Sequence, residues 1–128
     1  AILKAGATPA TLIASTAYVS KRAVVKPGSV VLHHATVNAG AVVGSNCIIN
    51  TAADIEHNTV IGDHSHISTG AMVNGDVIIG ENSFAGSGSV IANNVKIAAG
   101  TVIGAGAVVI SDISAPGIYA GVPAKRIS

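Results

Sequence analysis

Every sixth residue from Ile13 to Val109 is Ile or Val, with one exception at Ala85. The series begins Ile13, Val19, Val25, Val31 and never slips register. Two residues before each member from Val19 onward stands a small or β-branched residue: Ala17, Ala23, Ser29, Ala35, Ala41, Cys47 and onward to Ala107. An amphipathic helix repeats near 3.6 residues and a half-buried strand alternates by two, so neither sustains a strict period of six over such a length. A fixed period of this kind marks a repeat architecture and leaves few folds open.

Each hexad reads as a short strand and a corner, and three hexads make one coil of a parallel β-helix with 18 residues per coil. Side chains two apart on a strand share a face, so the Ile/Val and the small residue before it both point inward. Gly44, Gly62 and Gly80 recur one coil apart, and are expected where the backbone must turn. At ~4.8 Å between neighbouring strands, the series makes five to six coils. The domain reading is residues 13–110 as β-helix and 111–128 as C-terminal tail, with 1–12 as the end of a preceding Rossmann-like domain and a linker. The stretch AILKAGA reads as the last turns of a helix ending at Gly6. Pro116 and Pro123 lack the N–H that a ladder needs, so pairing is expected to stop there.

Composition fits a dry, regular interior: 49% of residues are hydrophobic, 10% charged and 2% aromatic. No apolar run reaches the ~18 residues of a membrane-spanning helix. The seven Lys and Arg are scattered and the net charge is +1, which argues against nucleic acid or an anionic membrane as partner. Cys47 is the only cysteine. It falls in an inward small position, so it is expected to pack; the lack of a second cysteine fits a reducing, cytoplasmic setting.

The residues before each inward Ile or Val point outward. On one wall they are Leu12, Val30, Ile48, His66, Phe84 and Val102; on another they are Val24, Val42, Val60, Ile78 and Lys96. Two walls that are apolar outside as well as inside are expected to pack against neighbouring subunits.

Against this background one stretch stands out. DIEHNTVIGDHSHIS, Asp54 to Ser68, carries three of the five histidines and three of the six acids. The repeat splits it. Glu56 and His57 fall at a corner between two walls, while His66 lies outward on the opposite wall with Asn50 one coil earlier. His57 and His66 are therefore expected to meet only across an interface, with Glu56 and His57 from one chain and Asn50 and His66 from the next. Asp54 is outward beside Thr36 and Met72. His33, His34, Asp63 and His64 fall at other corners and read as solvent-facing.

The hexads, and the tail SAPGIYAGVPAKRIS, resemble the hexapeptide-repeat acyltransferases, whose fold is an all-β left-handed parallel β-helix and whose usual assembly is a homotrimer. The hand follows from that resemblance. CIINTAADIEHNTVIGDHSHIS is similar, more narrowly, to the active-site segment of the sugar O- and N-acetyltransferases related to sialic acid O-acetyltransferase and to the bacillosamine-pathway UDP-4-amino-sugar acetyltransferase. The resemblance implies acetyl-CoA as co-substrate, no metal, and a sugar or nucleotide-sugar acceptor. It assigns catalysis to His57, and acetyl-CoA contacts to His66, Asn50 and, in MVNGDVIIG, to Gly75 with Asn74 beside it. An acid usually follows the catalytic histidine in that family. Here the residue is Asn58, and Glu56 is the expected orienting acid.

Imidazole exchanges protons near neutral pH, which suits a general base. The expected reaction is direct attack of a sugar amine or hydroxyl on the thioester, with the Gly75 N–H stabilising the oxyanion. Two alternatives use the same fold: a γ-type carbonic anhydrase with zinc held by three histidines between subunits, and a non-catalytic scaffold. The first has a pair of histidines five residues apart, a spacing absent from positions 33, 34, 57, 64 and 66. The second has no use for the polar cluster.

Overall fold

The computed structural model describes residues 3–128. From Leu12 to Val109 the chain makes seventeen strands of two residues each, and two more follow in the tail. Up to Val90–Ile91, each strand pairs in parallel with the one 18 residues on: Ile13 with Val31, Val31 with Ile49, Ile49 with Ile67. The strands form three sheets of eight, six and five. They are the walls of a left-handed β-helix. The first wall contains His66–Ile67, the second Asp54–Ile55 and the third Val60–Ile61. Among the described residues no helix is long and apolar enough to cross a membrane.

The period of six appears directly as burial. Ile49, Ile55, Ile61 and Ile67 are all but inaccessible, and Ala85 is buried at the one position where the series breaks. Each such isoleucine contributes about 1.5–3 kcal/mol relative to an exposed one. From Ser29 onward the small positions are buried too, and several that carry a hydroxyl use it to tie coils together. Ser29 Oγ donates to the Gly44 carbonyl at 2.7 Å and accepts the Cys47 N–H at 2.8 Å. Cys47 is buried and free, and burial pushes its thiol pKa up. Ile13 departs from the pattern: it is exposed, because its strand ends the first wall and no described coil covers it.

The corners hold two surprises. Residues in the left-handed region are His34, Asn46, Ala52, Asn58, His64, Asp76, Asn82 and Asn94, together with Gly28, Gly40, Gly70, Gly88, Gly100 and Gly106 on the coils. Asn, Asp and His tolerate this conformation better than most side chains. Much of the chain's polar chemistry is therefore concentrated at corners by backbone geometry. Gly44, Gly62 and Gly80, expected to do the turning, do not have positive φ. Their role is close approach: a Cβ on Gly44 would lie 2.8 Å from the Asp63 nitrogen, and one on Gly62 or Gly80 would overlap the backbone of Glu81 or Ala99.

The tail also differs from expectation. Pairing does not stop at Pro116: Ile118–Ala120 adds to the first wall beside Val102–Ile103, and Lys125–Arg126 folds back antiparallel against it. Ile113 bridges to Ile97 on the third wall and is buried. The prolines fall between these pairings, where no ladder N–H is required. At the other end, Leu3–Gly6 form a turn closed by the Gly6 N–H on the Leu3 carbonyl at 3.1 Å. The helix end expected over residues 1–7 falls partly on Ala1 and Ile2, outside the described residues.

Candidate active site

His57 follows the second-wall strand Asp54–Ile55 and sits at the corner leading to the third wall. Its ring lies against Gly75, one coil further on. A Cβ there would come within 2.5 Å of both Cε1 and Nε2, so only glycine admits the imidazole in this position. The Gly75 carbonyl accepts the Asn94 N–H at 3.0 Å, while its own N–H donates to no backbone carbonyl among the described residues. Two residues expected at the site are thus brought into direct contact. Asn74, beside them, is engaged within the helix: its Nδ2 donates to the Ile91 carbonyl at 2.8 Å, and its carbonyl accepts Thr59 Oγ1 at 2.8 Å.

The Glu56 carboxylate does not approach the His57 ring. Its Oε2 accepts Asn38 Nδ2 at 3.1 Å and the backbone N–H of His57 at 3.3 Å, so it braces the corner rather than the ring. Two other groups approach His57 Nδ1. Asn58 Nδ2 lies 3.4 Å away, and Asp76 Oδ2 lies 3.8 Å away. His57 and Asp76 are each about half exposed, at 52% and 48%. Asp76 was not singled out from the sequence. The signal was present: it stands one 18-residue coil after Asn58, at the same left-handed corner.

His66 lies on the first wall between Ile48 and Phe84. Its ring meets Phe84 edge-on, with centroids 5.2 Å apart and planes at 87°. Asn50 Nδ2 is 3.1 Å from His66 Nε2. Asn50 Oδ1 accepts the Thr51 N–H at 2.8 Å, which leaves the amide nitrogen to face the ring. A donor opposite Nε2 requires a lone pair there, so His66 is neutral with its proton on Nδ1. Burial acts in the same direction and pushes its pKa below the ordinary histidine value. Ile48, Phe84 and Asn50 carry no charge to offset this.

A folded state that resists protonating His66 loses stability once the unfolded chain begins to bind that proton. Stability should therefore fall as pH drops below about 6.5 and level off below the depressed folded value. Urea midpoints measured at pH 7 and pH 5 should fall less for His66→Gln than for the unaltered protein.

The first wall is opposite the corner that carries His57, so one chain does not join His57 to His66. His66 stands with Asn50, and His57 stands against Gly75. Two of the other three histidines have ring partners at their own corners, His33 Nδ1 with Thr16 Oγ1 at 2.8 Å and His64 Nδ1 with Asn46 Nδ2 at 3.0 Å, while His34 donates its backbone N–H to Thr16 Oγ1 at 3.3 Å. Asp63 Oδ1 accepts the Ser45 N–H at 2.8 Å. Asp54 is outward between Thr36 and Met72. Its Oδ1 is buried without a hydrogen-bond partner among the described residues, and burial, then the neighbouring Glu56, raise its pKa. A cavity of about 600 Å³ lies at the N-terminal end between Leu3, Pro9, Ala10 and Pro27; His57, His66 and Gly75 do not line it. Among the described residues no group of three or more His, Cys, Asp or Glu is placed to hold a metal ion.

The outward columns are as apolar in place as in sequence. Leu12, Ile48 and Val102 are exposed on the first wall, and Val24, Val60 and Ile78 on the third.

Residues 76–111 match the family described as bacterial transferase hexapeptide (six repeats). No curated protein sequence matches the chain. Among solved structures, the acetyltransferase domain of PglB from Neisseria gonorrhoeae in complex with acetyl coenzyme A is 38% identical, with a TM-score of 0.96 over 98% of this chain and 61% of that one. PerB from Caulobacter crescentus, in complex with CoA and GDP-perosamine, is 32% identical, with a TM-score of 0.96 over 98% of this chain and 61% of that one. WeeI from Acinetobacter baumannii shares the fold at 24% identity and a TM-score of 0.94, over 98% of this chain and 62% of that one. The chain spans about three fifths of the length of these structures. The likeness read from the hexads and from the segment around His57 is therefore found again in the whole fold.

Proposed function

We propose that this chain is the catalytic β-helix of an acetyl-CoA-dependent acetyltransferase that acts on an amino or hydroxyl group of a sugar or nucleotide-sugar. The observation that carries the reading is the His57 imidazole seated on Gly75. It puts a base beside a backbone N–H with no backbone acceptor, the two groups that acyl transfer from a thioester needs. The similarity to an acetyl-CoA-bound acetyltransferase domain and to a protein crystallised with CoA and GDP-perosamine supports the substrate classes.

His57 Nε2 takes a proton from the acceptor as its nitrogen or oxygen adds to the thioester carbonyl. The Gly75 N–H faces the resulting oxyanion. Collapse breaks the carbon–sulfur bond, and the proton passes to the departing CoA sulfur. No acyl-enzyme forms. Asn50 and His66 come from the next chain of a homotrimer and hold acetyl-CoA, with Asn74 helping to shape the same cleft. The apolar first and third walls are the surfaces that assemble it, because exposed patches of that kind seek partners. An enzyme using acetyl-CoA and keeping a free buried thiol fits the cytoplasm.

A thermal-shift series with CoA, acetyl-CoA and amino-sugar nucleotides tests this. Both CoA species should raise the unfolding temperature, and free thiol should be released from acetyl-CoA only when a sugar acceptor is present. No shift with either CoA species contradicts the reading.

A further inference from the structure

The proposed base needs its proton on Nδ1, so that Nε2 presents a lone pair to the acceptor. An imidazole's tautomer is set by whatever its other nitrogen bonds to. Two side chains compete for Nδ1 of His57, and they ask for opposite tautomers. Asn58 Nδ2, at 3.4 Å, is a donor and favours a lone pair on Nδ1. That would place the proton on Nε2 and silence the base. Asp76 Oδ2, at 3.8 Å, is an acceptor and favours Nδ1–H.

Resting on the function proposed above, we propose that Asp76 is the positioning residue that holds His57 as its Nδ1–H tautomer, acting from the coil after the one that carries the histidine. The backbone supports the arrangement: the Asp76 N–H donates to the His57 carbonyl at 3.0 Å, so the two residues are fixed to one another across the coils. Asp76 has φ +60°, and Asp is among the residues that accept it. At 3.8 Å the carboxylate stands at ion-pair rather than hydrogen-bond distance. The contact tightens when His57 receives the acceptor's proton and becomes an imidazolium; catalytic hydrogen bonds are often long before substrate binds. Glu56 is excluded from this role by its bonds to Asn38 and to the His57 N–H.

The test is Asp76→Asn, close in shape and compatible with the same corner. Nitrogen-15 NMR of the imidazoles, with His57 assigned by its loss in His57→Gln, reads the tautomer directly. The unaltered protein should show Nδ1–H, and Asp76→Asn should shift the balance toward Nε2–H. Turnover should fall about 10–100-fold, taking as a guide the cost of losing a hydrogen-bond partner behind a metal-bound histidine, with the KM for acetyl-CoA unchanged. Asn58→Asp in the Asp76→Asn background should restore both the tautomer and most of the rate. An unchanged tautomer in Asp76→Asn overturns the proposal, whatever happens to the rate, as does a rate within twofold of the unaltered protein. The NMR readout needs no turnover. Failure of the acetyltransferase reading would show instead as no thiol release from acetyl-CoA by the unaltered protein with any sugar acceptor, with the tautomer still answering to Asp76.

Discussion

His57→Ala should lower turnover by about 10²–10⁴-fold, the span that a positioned general base supplies, while leaving the folded assembly intact. The separation of effects follows from where the residue stands. His57 is a half-exposed corner side chain and contributes nothing to the buried stack of Ile49, Ile55, Ile61 and Ile67. Its backbone bond to Asp76 does not involve the ring and survives truncation. Removing the imidazole should therefore leave the unfolding midpoint and the affinity for acetyl-CoA close to those of the unaltered protein. Steady-state kinetics with a saturating sugar acceptor, beside a denaturation curve, measures both. An unaltered rate would remove His57 from the chemistry.

The second large effect is expected on the third wall. Val60 and Ile78 are consecutive in its outward column, 38% and 44% exposed in the single chain. Val60→Asp with Ile78→Asp would place two carboxylates in an apolar contact. Burying unpaired charge costs several kcal/mol per ion, so the assembly should come apart into monomers. Both side chains point away from the core, and the monomer should keep its strands and its cooperative unfolding. Activity should disappear as well, because a monomer no longer has a neighbouring chain's His66 wall to set against its His57 corner. Light scattering and circular dichroism on the same sample distinguish dissociation from misfolding. A trimer that persists, or a monomer that remains active, contradicts the interface.

The sequence carried most of the fold because the repeat is a one-dimensional code. Once the period is six and the coil 18, the inward Ile and Val, the outward columns and the corner positions follow without further information. The register of Ile55 and Ile61 through the polar stretch is of this kind, and so is the pairing of His66 with Ile48 and Phe84. What escaped reading is what depends on details perpendicular to the chain. Gly44, Gly62 and Gly80 were expected to turn the backbone, but they serve the spacing between stacked coils. That is a contact between residues 18 or 19 apart, with no local signature. The tail was expected to leave the sheets at its prolines. It returns through Ile118–Ala120, whose two-residue departure from the 18-residue spacing hides it from a period search.

The site shows the same division. Asn50 beside His66 was legible because it is a matter of coil position, whereas the seating of the His57 ring on Gly75, 18 residues on, was not read from the repeat. The orienting acid was sought beside the histidine in sequence, at Glu56. Side-chain direction decided otherwise: the Glu56 carboxylate turns back to Asn38 and the His57 backbone, and the acid facing the ring is Asp76. The clustering of histidine, Asn and Asp also has a plainer part than chemistry. Several of these residues, His64, Asn58 and Asp76 among them, occupy left-handed corners that suit such side chains.

The central claim is that one active site is assembled from the His57 corner of one chain and the His66 wall of its neighbour. Mixed assemblies test it most directly. His57→Ala and His66→Ala chains, each poorly active alone at limiting acetyl-CoA, would be dissociated, mixed in equal amounts and allowed to reassociate. In a closed trimer every mixed assembly contains one interface with both histidines intact, so roughly a quarter of the unaltered activity should return. No recovery beyond the average of the two separate variants would place both histidines' work within a single chain and contradict the account.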